Sequence, residues 1–355
     1  MKRINLLFTA VVLFACNSNV WAQDWPQYLG PNRNSTSTQK SILRTWPASG
    51  PEILWTVNVG PGYGGPVIKD SKVYLLDRDD KTGDIMRCFD FSSGKELWKF
   101  SYDAPGSVMF PGSRSVPAVD GNYVYSCGHN GDLYCINITT HKPVWNKNIW
   151  TDFGGTKLPI WAITQCPLIY GDLVIVSAQA PDAGENRVLV VGGYEHGVVM
   201  IKVEKKADGN YGVTELFKHN DFGDHTKPPI FHNGYFYAQF TTNSRRDGLV
   251  CMGMDGKVMW KTLRAPLFDK GSMILADGLI LATDGRTTLY LIEPSPSGFK
   301  PLASAEVLKE GGISGDDPLA SRVGGSTQNW APMALAGGKL LIRDQNRLLC
   351  VRIAK

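Results

Sequence analysis

The chain has 355 residues, 43% of them hydrophobic and 20% charged, and its formal net charge is +4 at pH 7. This composition is typical of a folded globular protein and excludes an intrinsically disordered chain. The charge is small for the length, and no run of Lys or Arg interrupts the sequence. We therefore expect no nucleic-acid partner.

The first 22 residues are typical of an export signal. Lys2 and Arg3 precede an almost uninterrupted apolar run that ends at Ala15, which is too short to span a bilayer. Small residues at positions −3 and −1 predict cleavage after Ala22. The mature protein is therefore expected to be periplasmic or secreted. An alternative is a loose lipobox with lipidation of Cys16, which would give a membrane-anchored lipoprotein.

The next feature in chain order is a repeat in which a Cys is followed nine or ten residues later by a Trp. It occurs as Cys88 with Trp98, Cys135 with Trp145, and Cys251 with Trp260. Each copy predicts two strands joined by a tight turn, and two further apolar strands precede each Cys. Four antiparallel strands at a period of roughly 40 residues predict an all-β fold, a β-propeller of four-stranded blades.

The two ends of the chain complement each other. The last repeat contains Cys350 but ends before its Trp, and an unpaired apolar strand around Trp55 could supply it. We predict that the amino- and carboxyl-terminal strands pair and close the ring, which protects both edges. The expected organisation is a signal peptide at 1–22, an extension at 23–50 and a single propeller domain at 51–355.

The repeat pattern does not fix the number of blades. Counting Trp-type strands gives six blades, but the stretch between residues 164 and 219 holds five predicted strands, with Arg187 to Val191 as the extra one. Six to eight blades are compatible with the pattern, and this stretch is where a blade could have been lost.

The repeat resembles a known family. The order Cys88-Phe89-Asp90, then Gly94-Lys95-x-x-Trp98, is similar to the pyrroloquinoline-quinone (PQQ) type propeller repeat, and residues 24–31 resemble the start of exported bacterial members. The resemblance implies that the repeat Trp packs between neighbouring blades. For enzymes of the family it also implies a central quinone, a nearby calcium ion and a disulfide between adjacent cysteines.

This chain departs from the enzyme pattern because it contains no adjacent Cys pair. We therefore expect no cofactor and keep PQQ with calcium as an alternative. In that alternative, Arg114 and Lys270 would bind the quinone carboxylates and Trp330 would stack on the ring.

The cysteines are expected to act as small buried hydrophobic residues rather than as disulfides or metal ligands. Cys127 and Cys135 could approach each other diagonally across one hairpin, which leaves that disulfide as an alternative. Metal-ligand spacing such as C-x-x-C is absent from the sequence, so we expect no metal site.

The candidate binding residues interrupt the repeats. They lie in loops that lead from the fourth strand of one blade to the first strand of the next, so all should emerge on one face near the axis. Polar groups that converge with aromatic rings are typical of a ligand pocket. The candidates are Arg114, Trp161, Gln165, His225, Lys227, Lys270, Gln328, Asn329 and Trp330. A secondary candidate is the pair Glu195 and His196, whose alternative interpretation is an ordinary turn.

The sequence contains no Gly-x-Ser-x-Gly elbow, zinc motif or phosphate-binding loop, and we assign no catalytic residue. We therefore expect an exported, non-catalytic binding or scaffold protein that acts on a protein, peptide or glycan in the cell envelope. The alternative is a quinone-dependent oxidoreductase of alcohols or polyols, or a degenerate paralogue of one.

Overall fold

A computed structural model describes residues 23–107, 110–176, 186–193, 196–242, 244–309 and 327–355. The predicted signal peptide, the lipidation alternative at Cys16 and the candidate Glu195 lie outside these residues. Within the described ranges, no helix is long and apolar enough to cross a membrane.

Nearly all regular structure in the described residues is β-strand, apart from a short 3-10 helix at Thr151–Phe153. In chain order the strands are β1 (Thr36–Ser37), β2 (Ile53–Asn58), β3 (Val67–Lys69), β4 (Lys72–Asp79), β5 (Gly83–Asp90), β6 (Glu96–Asp103), β7 (Ala118–Asp120), β8 (Tyr123–Cys127), β9 (Asp132–Asn137), β10 (Pro143–Asn148), β11 (Leu168–Tyr170), β12 (Leu173–Ile175), β13 (Arg187–Gly192), β14 (Gly197–Lys205), β15 (Tyr211–His219), β16 (Ile230–His232), β17 (Tyr235–Thr241), β18 (Arg246–Gly253), β19 (Val258–Lys261), β20 (Met273–Ala276), β21 (Leu279–Thr283), β22 (Leu289–Ile292), β23 (Pro301–Ala305), β24 (Ala334–Ala336), β25 (Lys339–Arg343) and β26 (Arg347–Arg352).

Consecutive strands pair into small antiparallel sheets. Sheet 1 contains β3–β6, sheet 2 β7–β10, sheet 4 β16–β19, sheet 5 β20–β23 together with β1, and sheet 6 β24–β26 together with β2. The number 3 is kept for the position between sheets 2 and 4, where β11–β15 form two smaller sheets. The first strands of neighbouring sheets contact one another, as β24 does with β3, β3 with β7, and β16 with β20. First strands that meet in this way line a common axis, and the predicted β-propeller is confirmed.

The alternation of strand direction gives the ring two distinct faces. Loops between sheets, and turns between the second and third strands of a sheet, lie on one face, which we call the loop face. Turns between the first and second strands lie on the opposite face.

The repeat Cys and Trp lie opposite each other on neighbouring strands. Cys88 is paired with Trp98, Cys135 with Trp145, and Cys251 with Trp260. The four repeat cysteines are buried, as expected for small core residues.

The ring is closed by its two ends, as predicted. Strand β2 pairs with β26, which places Trp55 opposite Cys350. The indole of Trp55 also reaches sheet 1, where its Nε1 donates to the carbonyl of Phe91 at 3.1 Å. The indole packs on Gly94, whose φ is +72°. A Cβ at this position would lie 2.7 Å from the indole. The repeat Trp therefore joins one sheet to the next.

The stretch between sheets 2 and 4 contains the five predicted strands, but they form two sheets. Strands β11 and β12 make a hairpin, and β13–β15 make a separate three-stranded sheet, so among the described residues this blade position is divided. The core between sheet 2 and the hairpin is small: among the residues that the structure describes, Cys127, Leu133 and Ile163 are buried in it. As a result, the repeat residue Trp145 stays 37% exposed.

A segment near the amino terminus, residues 24–43, runs along the inner strands of several sheets, and we call it the strap. Trp25 forms an antiparallel bridge with Ile68 of β3. Strand β1 pairs in parallel with β20 of sheet 5. Further along, Leu43 donates its backbone N–H to the carbonyl of Ile353 beside sheet 6 at 2.8 Å. The strap therefore holds the inner strands of several sheets together.

The alternative disulfide is wrong. Cys127 lies opposite Leu133 in the β8–β9 pair, while Cys135 lies opposite Tyr125, so the two thiols sit two positions apart. All six cysteines of the described residues are free.

We expect Trp55→Ala to destabilise the protein by about 3–5 kcal/mol, because it leaves a cavity between sheets 6 and 1, where the ring of sheets closes. Trp145→Ala removes the same residue type at the equivalent repeat position, where the ring is partly exposed, and is expected to cost clearly less. Urea unfolding of the two variants measures the difference. Equal losses would contradict the assignment of Trp55 as the closing contact.

Candidate functional site

Four aromatic rings from four different inter-sheet loops meet on the loop face, and we call them the aromatic cluster. Tyr63 stacks on Trp330 with a centroid distance of 5.4 Å, and Phe110 stacks on Trp161 at the same distance. Phe110 also lies 5.7 Å from Trp330, which joins the two pairs. All four rings are partly exposed. Residues separated by most of the chain thus form one surface.

The loops that carry Tyr63 and Phe110 are fixed by Arg343, a fully buried residue at the end of β25. Its guanidinium donates to the carbonyls of Gly60 and Gly64 at 2.9 and 2.8 Å, and to the hydroxyl of Ser113 at 3.3 Å. Glycine- and proline-rich loops leave backbone carbonyls without strand partners, and Arg343 supplies the missing donors.

Cationic side chains flank the aromatic cluster. The Arg114 guanidinium lies 5.7 Å from the centroid of Tyr63, and the Lys270 ammonium lies 5.1 Å from that of Trp330. Lys227 donates to the carbonyls of Lys270 and Trp330 at 3.0 and 2.9 Å, which ties three loops together. Burial lowers the pKa of Lys227 to about 8.

The structure brings most of the predicted residues to this place. Arg114, Trp161, Lys227, Lys270 and Trp330 belong to the aromatic cluster or contact it. Two other candidates lie beside it. The hydroxyl of Tyr63 donates a hydrogen bond to the side-chain oxygen of Gln328 at 2.8 Å. Burial, together with the positive charge of Lys270, lowers the pKa of His225.

Three predicted residues are placed differently. Gln165 contributes its backbone carbonyl, which accepts from the hydroxyl of Ser115 at 2.6 Å. Asn329 is buried below the surface, where its N–H donates to the carbonyl of Gly285. His196 is exposed in a turn closed by a bond from its N–H to the carbonyl of Gly193, which agrees with the interpretation as a turn.

Tyr63 and Phe110 were not among the site residues predicted from the sequence. Both lie in loops of the kind that was singled out, next to glycine and proline, so an aromatic residue in such a loop was the available signal. The buried arginines were missed because they occur within strands and no periodic pattern marks them.

A network of buried charges lies beside the aromatic cluster. Arg78 pairs with Asp84 at 3.0 Å and with Asp80 at 2.7 Å, and donates to the carbonyls of Ala104 and Gly106. Burial raises the pKa of Asp84 even though Arg78 opposes this shift. The network fixes the loop that follows sheet 1.

His129 lies at the edge of this network, in the turn between β8 and β9. Its side chain is 3% exposed, and its Nδ1 has no hydrogen-bond partner among the described residues. Burial, together with the positive charge of Arg78, lowers its pKa to about 4, so the imidazole is neutral at pH 7.

The aromatic cluster does not form a slot for a flat cofactor. A ring sandwiched between two others needs their planes about 7 Å apart, since each contact takes 3.5–4.0 Å. The stacked pairs are already in contact, with centroids 5.4 Å apart. The described residues also contain no group of three His, Cys, Asp or Glu side chains that could hold a metal ion.

Comparison with known proteins identifies the family. The model described as outer membrane protein assembly factor BamB matches residues 19–208, more than half of the chain. The chain belongs to this family. No curated protein matches it.

Among solved structures, BamB from Moraxella catarrhalis is similar to this chain at 12% identity, with a TM-score of 0.30. That comparison covers 80% of this chain and 68% of the other. Quinohemoprotein alcohol dehydrogenase from Comamonas testosteroni is 16% identical, with a TM-score of 0.33. That comparison covers 90% of this chain and 57% of the enzyme, so this chain spans little more than half of the enzyme's length.

We expect Arg343→Met to lower the free energy of unfolding by about 3–5 kcal/mol, because three acceptors, two of them in buried bonds, lose their donor. Arg352→Met is the matched control, since it removes an exposed ion pair with Glu52 and should cost no more than about 1 kcal/mol. Urea unfolding compares the two. Similar losses would show that Arg343 does not hold the loops.

His129 should make stability depend on pH. As pH falls from 6.5 to about 4, the unfolded chain binds a proton at this residue and the folded chain does not, so stability falls across this range. We expect His129→Gln to lose this part of the pH dependence. NMR titration of the His129 imidazole gives the direct measurement, and a midpoint near 6.5 would contradict the burial of its ring.

Proposed function

We propose that this protein is a non-catalytic binding protein of the cell envelope and that the aromatic cluster is its contact surface for a protein or peptide partner. The observation that carries the proposal is the convergence of Tyr63, Phe110, Trp161 and Trp330 with two flanking cations on one face. Trp, Tyr and Arg are the residue types that dominate the binding energy of protein interfaces.

The arrangement of the loops supports a contact role. Arg343 and Lys227 hold the loops from below through backbone carbonyls, so the rings are fixed before a partner arrives. Fixed side chains lose less conformational entropy on binding than mobile ones. The rings are also partly exposed, which leaves area for a partner to cover.

The envelope location is part of the proposal. It is supported by the amino-terminal export pattern at residues 1–22 and by membership of the BamB family. The lipidation alternative at Cys16 would place the same binding surface on a membrane-tethered protein.

A photo-crosslinking amino acid at Thr164, an exposed position in the loop that carries Trp161, tests the contact surface. In cells of the native host we expect a discrete crosslinked partner from this position and none from Tyr211, which is 67% exposed on β15. Adding Trp330→Ala should reduce the crosslink more than tenfold, as expected for a central contact residue. Tyr211→Ala is the matched aromatic control and should leave the crosslink unchanged.

Two outcomes would contradict the proposal. One is a crosslink from Thr164 that survives Trp330→Ala. The other is dye-linked oxidation of an alcohol after PQQ and calcium are added to the purified protein, which would favour the quinone-dependent oxidoreductase instead.

A further inference from the structure

A positive charge that no described carboxylate contacts lies at the edge of the aromatic cluster. The guanidinium of Arg114 donates to the carbonyl of Phe110 and lies 5.7 Å from the centroid of Tyr63. Within the described part of the chain it forms no ion pair. Asp80 acts on it electrostatically, but that carboxylate is itself paired with Arg78 at 2.7 Å. Arg114 is partly exposed, so its charge is available to a partner.

Two lysines add positive charge beside the stacked ring of Trp330. Lys227 donates to the backbone carbonyls of Lys270 and Trp330, which are neutral acceptors. Lys270 lies over the ring of Trp330 and pairs with Asp269 at 2.6 Å. The neighbouring carboxylates, those of Asp269 and Asp224, are buried, whereas both lysines are partly exposed. Among the described residues, the surface at the aromatic cluster therefore presents more positive than negative charge.

The ring faces of the stacked pair are already in contact with other groups. Tyr63 stacks on Trp330 with their planes 28° apart, Arg114 lies over the ring of Tyr63, and Lys270 lies over that of Trp330. A flat sugar ring would need an open aromatic face on which to stack. The edges of aromatic rings carry partial positive charge, which adds to that of the cations. The pair therefore suits a carboxylate next to an apolar side chain better than a sugar.

We propose that the partner segment at the aromatic cluster is an acidic peptide, in which Asp or Glu residues stand next to apolar ones. This inference rests on the proposed contact role of the cluster and adds the charge of the partner. The apolar side chains of the segment cover the rings, and its carboxylates pair with Arg114 and Lys270. A guanidinium can bind a carboxylate through two parallel hydrogen bonds. Complementary charge of this kind sets specificity and the rate of association.

Selection from a random library of dodecapeptides displayed on phage, with the purified protein as bait, tests the proposal. We expect Asp and Glu to be enriched about twofold or more over the unselected library, and Lys and Arg to be depleted. The most enriched peptide is then synthesised and its affinity is measured by isothermal titration. An analogue with Asn and Gln in place of Asp and Glu should bind about tenfold more weakly.

Variants of the protein locate the charge that the peptide recognises. Arg114→Gln and Lys270→Gln should each weaken binding of the selected peptide about five- to tenfold, the effect of one lost charge-assisted hydrogen bond. Lys270→Arg keeps the charge and should lose much less affinity than Lys270→Gln, which separates charge from a structural role. Lys218→Gln removes an exposed lysine on β15 and is the matched control, which should leave the affinity unchanged. Circular dichroism checks the fold of each variant.

Several results would overturn the acidic character of the partner. They are a selection that yields no binder or only neutral and basic peptides, equal binding of the acidic peptide and its amide analogue, and tighter binding of an oligogalacturonate, which would indicate an acidic glycan instead. The crosslink from Thr164 keeps this failure apart from that of the proposed function. A crosslinked partner that depends on Trp330, found together with neutral selected peptides, would remove only the charge assignment.

Discussion

The pairing of β2 with β26 is the contact on which the rest of the molecule depends. It joins residues 53–58 to residues 347–352 and turns a row of sheets into a ring. Tyr63 and Trp330 lie far apart in the sequence, and they stack because closure brings the loops before sheet 1 and sheet 6 to the same axis. An open row of sheets would expose two strand edges and would have no common centre.

Closure of the ring does not by itself order the loops between the sheets. Buried arginines hold these loops through hydrogen bonds to their backbone carbonyls. Arg343 and Arg78 are both fully buried, which is unfavourable for a charged group unless its donors are used. Each donates to two backbone carbonyls in a loop that lacks regular secondary structure. Arginine suits this task because its planar group carries five donors and does not lose its charge. Loop geometry and buried charge are therefore coupled.

Much of the fold could be predicted from periodic features. The recurring Cys and Trp predicted both the sheets and the pairing of Trp55 opposite Cys350, because equivalent residues occupy equivalent strand positions. The extra strand before β14 was also found. What periodicity could not give was the direction of loop side chains. Gln165 and Asn329 were selected with the same reasoning as Trp330, but Gln165 contributes its backbone carbonyl, and Asn329 is buried, where its side-chain oxygen accepts from the hydroxyl of Thr283.

The strap was predicted only as an extension, since its contacts follow no repeat. It includes Trp25, which is buried against β3, and β1, which lies along β20. These contacts lie along the first strands of sheets 1 and 5, and a bond from Leu43 to the carbonyl of Ile353 adds a contact beside sheet 6. One continuous segment therefore links sheets that are far apart in the sequence, so proteolytic removal of the strap would weaken three sheets at once.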